Sequence, residues 1–128
     1  MAGKKPLRPT DGELEILRVL WSHGPGTVRE VHETLAARKS TSYNTTLKLL
    51  QIMHEKGLVV RDESRRPQVY RAAVPEAQMQ KRLVADLLRR AFGGSARKLV
   101  AALTAGDISD EELGEIRQLL DGLEEERG

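Results

Sequence analysis

The stretch of residues 27–70 constrains the fold most, because it predicts two short helices joined by a turn and followed by a hairpin. Thr27 and Glu30 fit a capping box, in which each side chain accepts a hydrogen bond from the backbone amide of the other residue. A second helix follows the polar residue Ser42 and ends before Gly57, a residue type that favours the left-handed conformation after a helix. The order of these signals predicts a helix-turn-helix.

A basic hairpin is predicted directly after the second helix. Residues 58–60 and 69–72 are rich in β-branched and aromatic side chains, and the polar stretch between them contains Arg65, Arg66 and a proline. Two short apolar runs around a polar turn are typical of a β-hairpin. Because a hairpin packed on a helix-turn-helix forms a wing, the predicted fold class is mainly α, a winged helix-turn-helix with a small β-hairpin.

Another helix is predicted before this stretch. Thr10 and Glu13 fit a second capping box, and apolar residues recur behind it at helical spacing until a Gly-Pro-Gly turn at 24–26. Residues 1–9 are basic and contain two prolines, which predicts a disordered arm. The winged helix-turn-helix domain is therefore expected over residues 10–74.

The remaining residues, 75–128, predict three helices with apolar stripes. Helices are expected over 76–92 and about 95–105, and a third capping box at Ser109 and Glu112 begins the last helix. A segment of about 50 residues has too little interior to bury such stripes alone. Pairing with a second copy in a two-fold symmetric homodimer would bury them. The residues expected in this helical dimerisation domain are Met79, Leu83, Leu87, Leu88, Phe92, Leu99, Leu103, Leu113, Ile116, Leu119, Leu120 and Leu123.

Charge and composition limit the possible functions. Residues 1–74 contain 13 Lys and Arg against 8 Asp and Glu, whereas residues 75–128 contain 8 against 11, so a basic half suited to a polyanion is joined to an acidic half. The chain has no cysteine, three scattered histidines and no phosphate-binding glycine loop, which predicts a protein that is not an enzyme, with no metal and no cofactor. No signal peptide or membrane-length apolar run is recognisable, so the sequence predicts a soluble cytoplasmic protein without membrane insertion.

Double-stranded DNA is the partner that these features favour, and the start of the second helix is the expected recognition surface. The N-terminal turn of a recognition helix lies closest to the base edges, so short polar side chains there are typical of DNA contact. Asn44 can pair with adenine, Thr45 with a base or a phosphate, and Lys48 with guanine or a phosphate. The predicted DNA-binding residues are Arg29, Ser42, Tyr43, Asn44, Thr45, Lys48, Arg65 and Arg66.

Each of these residues also has a simpler interpretation. Ser42 can serve only as a helix cap, with an ordinary solvated face behind it. Tyr43 can donate to a phosphate or pack beneath the helix, and Arg65 and Arg66 can belong to an ordinary charged turn. Leu47 falls outside the apolar stripe of the second helix, which is unusual for a solvated face but suits contact with thymine methyl groups.

Several longer sequence segments follow one another in a definite order along the chain. They are Leu14-Glu15-Ile16-Leu17 through Leu20-Trp21, Val28-Arg29-Glu30-Val31, Thr45-Thr46-Leu47-Lys48-Leu49-Leu50, Glu55-Lys56-Gly57-Leu58-Val59, Phe92-Gly93-Gly94-Ser95, Leu99-Val100 and the segment from Leu113 to Leu120. In this order and spacing the chain resembles the penicillinase-repressor family, the BlaI/MecI/CopY-type transcriptional regulators. The resemblance extends over nearly everything after residue 9.

The resemblance implies a homodimer, with an N-terminal winged helix-turn-helix and a three-helix C-terminal dimerisation region, that binds a palindromic operator and represses nearby genes. In antibiotic-responsive members a membrane-bound sensor protease triggers cleavage at an Asn-Phe bond, which makes a regulatory protease a candidate partner. The corresponding stretch here, Ala101-Ala102-Leu103-Thr104, lacks that pair, and the chain also lacks the cysteine pairs of copper-responsive members. The operator, the regulated genes and the releasing signal are therefore not identified by the sequence.

Two other functions are compatible with the same pattern. A winged-helix protein-interaction module would join partners through its tail and would be insensitive to charge removal at residues 44–48 and 65–66. A small-molecule-sensing winged-helix regulator would bind a ligand in a cleft at the base of the dimer. The leading hypothesis is a homodimeric repressor with a recognition helix at about 42–56 and a basic wing at about 58–72.

Overall fold

The computed structural model describes residues 8–106, 109–115 and 118. The elements in these residues are α1 (Asp11–His23), α2 (Val28–Ala36), α3 (Tyr43–Lys56), β1 (Val59–Asp62), β2 (Val69–Ala72), α4 (Glu76–Phe92) and α5 (Ala96–Ala105), and residues 110–115 are also helical. The chain divides into two compact units, Met1–Leu83 and Val84–Gly128. We call them the N-terminal unit and the C-terminal unit.

The starts of α1 and α2 confirm the two predicted capping boxes. Thr10 accepts from the amide of Glu13 at 3.2 Å, and the Glu13 carboxylate accepts from the amide of Thr10 at 3.0 Å. Thr27 and Glu30 repeat the arrangement at 3.2 and 2.8 Å. Each helix therefore begins where residues three positions apart satisfy amides that have no partner inside the helix.

The end of α3 explains a small difference between the predicted and the observed first strand. Gly57 adopts φ +82°, its amide donates to the carbonyl of His54, and the amide of Leu58 donates to the carbonyl of Met53. This pair of bonds is a Schellman motif. Because Leu58 belongs to the helix cap, β1 begins at Val59, one residue later than expected, and continues to Asp62.

The two strands form an antiparallel hairpin in which Val59 lies opposite Ala72 and Asp62 opposite Val69. Gly26, in the turn between α1 and α2, adds a bridge to the other edge of β2. The amide of Gly26 donates to the carbonyl of Tyr70 at 2.9 Å, and the amide of Tyr70 donates to the carbonyl of Gly26 at 2.8 Å. The hairpin is thereby attached to the start of α2, so helices and wing form one body.

The hydrophobic core of the N-terminal unit draws on all three helices of the helix-turn-helix, on the hairpin and on the start of α4. Its buried apolar side chains are Ile16, Leu17, Val19, Leu20, Val31, Leu35, Leu50, Met53, Leu58, Val59, Tyr70 and Met79. The indole Nε1 of Trp21 also donates to the carbonyl of Val74 at 2.9 Å, which ties α1 to the chain after β2.

A buried ion pair connects the first and third helices. Glu13 is only 2% exposed, and the Nζ atom of Lys56 lies 2.8 and 2.9 Å from its two carboxylate oxygens. Glu13 was expected only as a capping residue, but the structure also makes it the counter-ion that holds the C-terminal end of α3. A buried carboxylate requires such a partner because water no longer solvates it.

Met79 has a different position from the one expected for a dimerisation residue. It is 3% exposed within a single chain, in the core of the N-terminal unit, and Leu83 packs against the same core. The first turns of α4 therefore complete the N-terminal unit, whose bound at Leu83 lies beyond the predicted domain bound at residue 74. Whether DNA binding needs only residues 10–74 stays a prediction.

The C-terminal unit contains the rest of α4 and the whole of α5. Gly93 and Gly94 adopt φ +57° and +85° after α4, and Ser95 caps α5 by accepting from the amide of Lys98. Ser109 likewise accepts from the amide of Glu112 at 3.1 Å. The bounds of α4 and α5 and the start of the helix after Ser109 agree with the prediction because the signals are again local.

Some predicted features lie outside the described residues. These are most of the N-terminal arm, the dimerisation positions Ile116, Leu119, Leu120 and Leu123, and the end of the last helix. Within the described part of the chain, no helix is both long and apolar enough to cross a membrane.

Candidate nucleic-acid interface

The third helix has one buried face and one exposed polar face. Thr46, Leu50 and Met53 on its inner side are completely buried. Asn44 and Lys48 are exposed, as expected from the helical period. The inner residues fix the position of α3 on the core, so the polar side chains on the outer face are held on a rigid element.

The first turn of α3 is organised by hydrogen bonds among its own hydroxyl groups. Ser42 accepts from the amide of Thr45 at 3.1 Å, and the two hydroxyls lie 2.9 Å apart. Thr46 donates to the carbonyl of Ser42 at 3.4 Å and lies 3.3 Å from Nδ1 of His32 on α2. Ser42 is therefore the helix cap, and Thr45 is oriented by it.

The ring of Tyr43 lies at the junction of α2 and α3. The imidazole of His32 meets it edge-on, with 5.8 Å between centroids and 81° between planes. The guanidinium carbon of Arg29 lies 6.0 Å from the ring centroid, within reach of a cation–π contact. Tyr43 is 41% exposed, so it is not packed beneath the helix, and two of the predicted DNA-binding residues are in contact.

An open groove of about 370 Å³ separates α3 from the hairpin. We call it the wing groove, and its lining includes Arg29 from α2, Tyr43, Leu47 and Gln51 from α3, and Pro67 and Gln68 from the hairpin. Sequence reasoning did not identify the contribution of the two hairpin residues. A sequence pattern does not reveal which turn residues lie opposite a helix. The Arg66–Pro67 peptide bond, at the edge of the groove, is cis.

The arginines of the hairpin differ in what they bind. Arg61 donates to the Glu63 carboxylate at 2.7 and 3.0 Å, which lowers the pKa of Glu63 and raises the pKa of Arg61. Arg66 donates to the carbonyls of Glu63 and Arg65 at 2.8 and 3.3 Å. Arg66 thus helps to shape the turn, while Arg65 is an exposed cation at its tip.

The pKa values of two further carboxyl groups, one in the hairpin and one on α1, are also lowered. The hydroxyl and the amide of Ser64 donate to Asp62 at 2.6 and 3.0 Å and lower the pKa of Asp62. Nζ of Lys39 donates to the carboxylate of Glu15 on α1 at 2.7 Å and lowers the pKa of that carboxyl group. The charge of Lys39 is therefore partly balanced within the chain.

The histidines do not form a metal site in the part of the chain that the structure describes. His23 ends α1, His32 contacts Tyr43 and His54 lies on α3. Among the described residues, no group of three or more His, Cys, Asp and Glu side chains is placed to hold a metal ion.

Three helices, a hairpin on their edge and an exposed polar third helix define a winged helix-turn-helix regulator. The chain belongs to the penicillinase repressor family, which matches residues 9–122. This confirms the resemblance inferred from the sequence. The members of this family are transcriptional regulators and not enzymes, so the role of the chain is transcriptional repression.

Similar proteins support the same assignment. The chain is 30% identical over 125 residues to the transcriptional regulator BlaI of Mycobacterium tuberculosis, covering 97% of this chain and 91% of that one. It is 27% identical over 119 residues to the penicillinase repressor of Bacillus licheniformis, covering 92% and 93%. A MarR family protein from Bacillus stearothermophilus shares the fold, with a TM-score of 0.50 and 23% identity over 96% of this chain and 76% of that one.

Proposed function

We propose that this repressor is a homodimer that binds a palindromic operator, with α3 in the major groove and the hairpin against the neighbouring backbone. The observation that carries this proposal is the division of α3 into a completely buried inner face and an exposed polar outer face. Any surface helix turns a polar face to water, but here hydrogen-bonding side chains occupy the first turns of α3 beside a groove that the hairpin also lines, where a major-groove helix needs them.

Each outer residue has a role that follows from its chemistry. Asn44 can form a bidentate pair with adenine, and Lys48 can donate to guanine or to a phosphate. Thr45, oriented by the Ser42 cap, can donate its hydroxyl to a phosphate or a base. Arg65 at the tip of the hairpin can neutralise a phosphate, which adds affinity without sequence preference.

The proposal of a homodimer is supported by the apolar surface of the C-terminal unit. Val84, Leu87, Val100 and Leu103 are 42–50% exposed in the single chain. Monomeric proteins seldom leave such stripes uncovered, and a two-fold partner presents the same stripe in return. Two half-site affinities then add through one dimer, so a signal that separates the copies would release the operator.

The test is a nuclease footprint across the region upstream of the repressor's own gene at moderate salt. We expect two symmetric protected half-sites, centred about one helical turn or a multiple of it apart. Lys48→Ala should require about tenfold more protein for the same protection, because a charge-assisted contact is lost.

Lys98→Ala is the matched control, since Lys98 is an exposed lysine on α5 in the C-terminal unit. It should protect DNA like the wild type. Absence of any protected site, or equal protection by the Lys48 variant and the wild type, would contradict the proposed function.

A further inference from the structure

Leu47 is an apolar side chain on the outer side of α3, and the core does not explain it. Among the described residues, the half-buried apolar side chains that pack against the core are Leu14, Trp21, Val28, Leu49, Ala72, Val74 and Leu83. Leu47 is half-buried but is not one of them. It lies instead in the wing groove, so its environment is the surface that would meet DNA.

The groove beside Leu47 has a defined shape and mixed polarity. Tyr43, Leu47 and Gln51 are spaced four residues apart, so they form one column along α3. The ring of Tyr43 is held by His32 and Arg29 and lies one turn from Leu47. An aromatic ring and a leucine side chain therefore offer an apolar strip between polar neighbours.

We propose that Leu47 recognises a thymine in each half-site by contact with its 5-methyl group. This inference rests on the proposed function, because it requires α3 to lie in the major groove. The thymine methyl is the apolar group that the edges of the four bases present there, and the other groups are hydrogen-bond donors and acceptors. Contact with Leu47 removes apolar area of both partners from water.

The size of the effect follows from the burial of one methyl group. Losing that burial should weaken binding about fourfold for one half-site and about 15-fold for both, from roughly 0.8 kcal/mol per buried carbon. The effect should be confined to one or two thymines of each half-site, since a single leucine side chain reaches no further.

The experiment replaces thymine by deoxyuridine, which lacks only the methyl group, one position at a time in the duplex that the footprint identifies. Fluorescence anisotropy gives the affinity of the wild type, Leu47→Ala and Ile52→Ala for each duplex. Ile52 is the matched control, because it is also half-buried on α3 but is neither in the wing groove nor packed on the core of the described chain. Circular dichroism establishes that each variant is folded.

We expect the wild type and Ile52→Ala to discriminate thymine from deoxyuridine about fourfold at the contacted position, and Leu47→Ala to bind both duplexes equally. If Leu47→Ala keeps the same discrimination, or if no thymine position is sensitive in the wild type, the methyl contact does not exist. If Leu47→Ala loses affinity by the same factor for the thymine and the deoxyuridine duplex, the ratio of the two affinities is unchanged. That result would assign Leu47 to packing and also overturn the inference. These results leave the proposed operator binding intact, whereas failure to bind any duplex removes both.

Discussion

The N-terminal and C-terminal units use apolar side chains in opposite ways. In the N-terminal unit, twelve apolar side chains from Ile16 to Met79 are buried within one chain. In the C-terminal unit, none of the described residues from Val84 onward is buried, although α5 has Leu99, Val100 and Leu103 at helical spacing. Among the described residues, the first unit therefore has a buried apolar core, and the second exposes Val84, Leu87, Val100 and Leu103.

This difference separates two requirements of a repressor. A rigid core is needed to hold α3 and the hairpin in a fixed relation, because recognition of bases requires side chains at fixed positions. Assembly requires surface that stays available until a partner arrives. The comparison therefore predicts that substitutions in the two units will change different measurable quantities.

The largest effect is expected for a charge placed in the proposed dimer surface. Leu87→Asp should raise the dimer dissociation constant by at least about 100-fold, because an unpaired carboxylate would be buried against apolar groups. Multi-angle light scattering at several concentrations measures this change. Ala85→Asp, at an exposed position of the same helix, should remain dimeric. If the Leu87 variant remained fully dimeric, the interface would lie elsewhere. Leu119→Asp, at a position outside the described residues, is also expected to weaken the dimer.

An effect of similar size is expected for a cavity in the core of the N-terminal unit. Leu50 is completely buried, so Leu50→Ala should lower the free energy of unfolding by about 3 kcal/mol. Urea denaturation followed by circular dichroism measures it. The loss should not depend on protein concentration, whereas the loss caused by Leu103→Ala, on the exposed stripe of α5, should. If both variants depended equally on concentration, the two units would not be energetically distinct.

A moderate effect is expected when the hairpin loses Arg65, the exposed cation at its tip. Arg65→Ala should reduce the slope of log affinity against log salt by about 0.9 for each half-site, the value for one phosphate contact, and so by about 1.8 for a dimer on both half-sites. Arg66→Ala should also lower the salt dependence, but it removes hydrogen bonds to the turn carbonyls, so its hairpin should loosen as well. Anisotropy titrations at several salt concentrations measure the slope. Arg97→Ala, an exposed arginine of the C-terminal unit, should leave the slope unchanged, and an equal decrease would contradict the assignment of DNA contact to the N-terminal unit.

The smallest effect concerns the local charges of the hairpin. Arg61 holds the pKa of Glu63 below its ordinary value of 4.5, so the ion pair stabilises the hairpin above that pH and is lost as the pH falls through the lowered pKa. NMR titration of the Glu63 carboxyl should show the lowered value in the wild type and a return toward 4.5 in Arg61→Ala. Asp62, whose pKa is lowered by Ser64, should keep its low value in that variant, and a parallel rise would mean that the whole turn had rearranged.

The helix bounds were predictable because capping is a local interaction. The partners of the capping boxes at Thr10 and Thr27 are three residues apart, and the bonds that end α3 at Gly57 span only a few residues. The exposed polar face of α3 followed from the helical period alone. By contrast, Glu13 and Lys56 are 43 residues apart, and nothing in their local patterns indicates that they form a pair.

The candidate site was predictable only in part for the same reason. Asn44, Thr45 and Lys48 were predicted to contact DNA because polar residues at the start of a second helix have a direct chemical meaning, and the structure shows them exposed there. The wing groove brings together Tyr43, Leu47 and Pro67, and its existence depends on how the hairpin packs on the helices. Sequence patterns carry little information about such packing between distant segments.

The sequence by itself therefore determined the order and bounds of the helices, the polar side of α3 and the family to which the chain belongs. The tertiary structure decided that Met79, predicted as a dimerisation residue, is buried in the core of the N-terminal unit. It also decided that Leu47 lies in the wing groove beside Tyr43. The physical reason is range, since capping and periodicity act over a few residues, whereas burial depends on which distant segments approach one another.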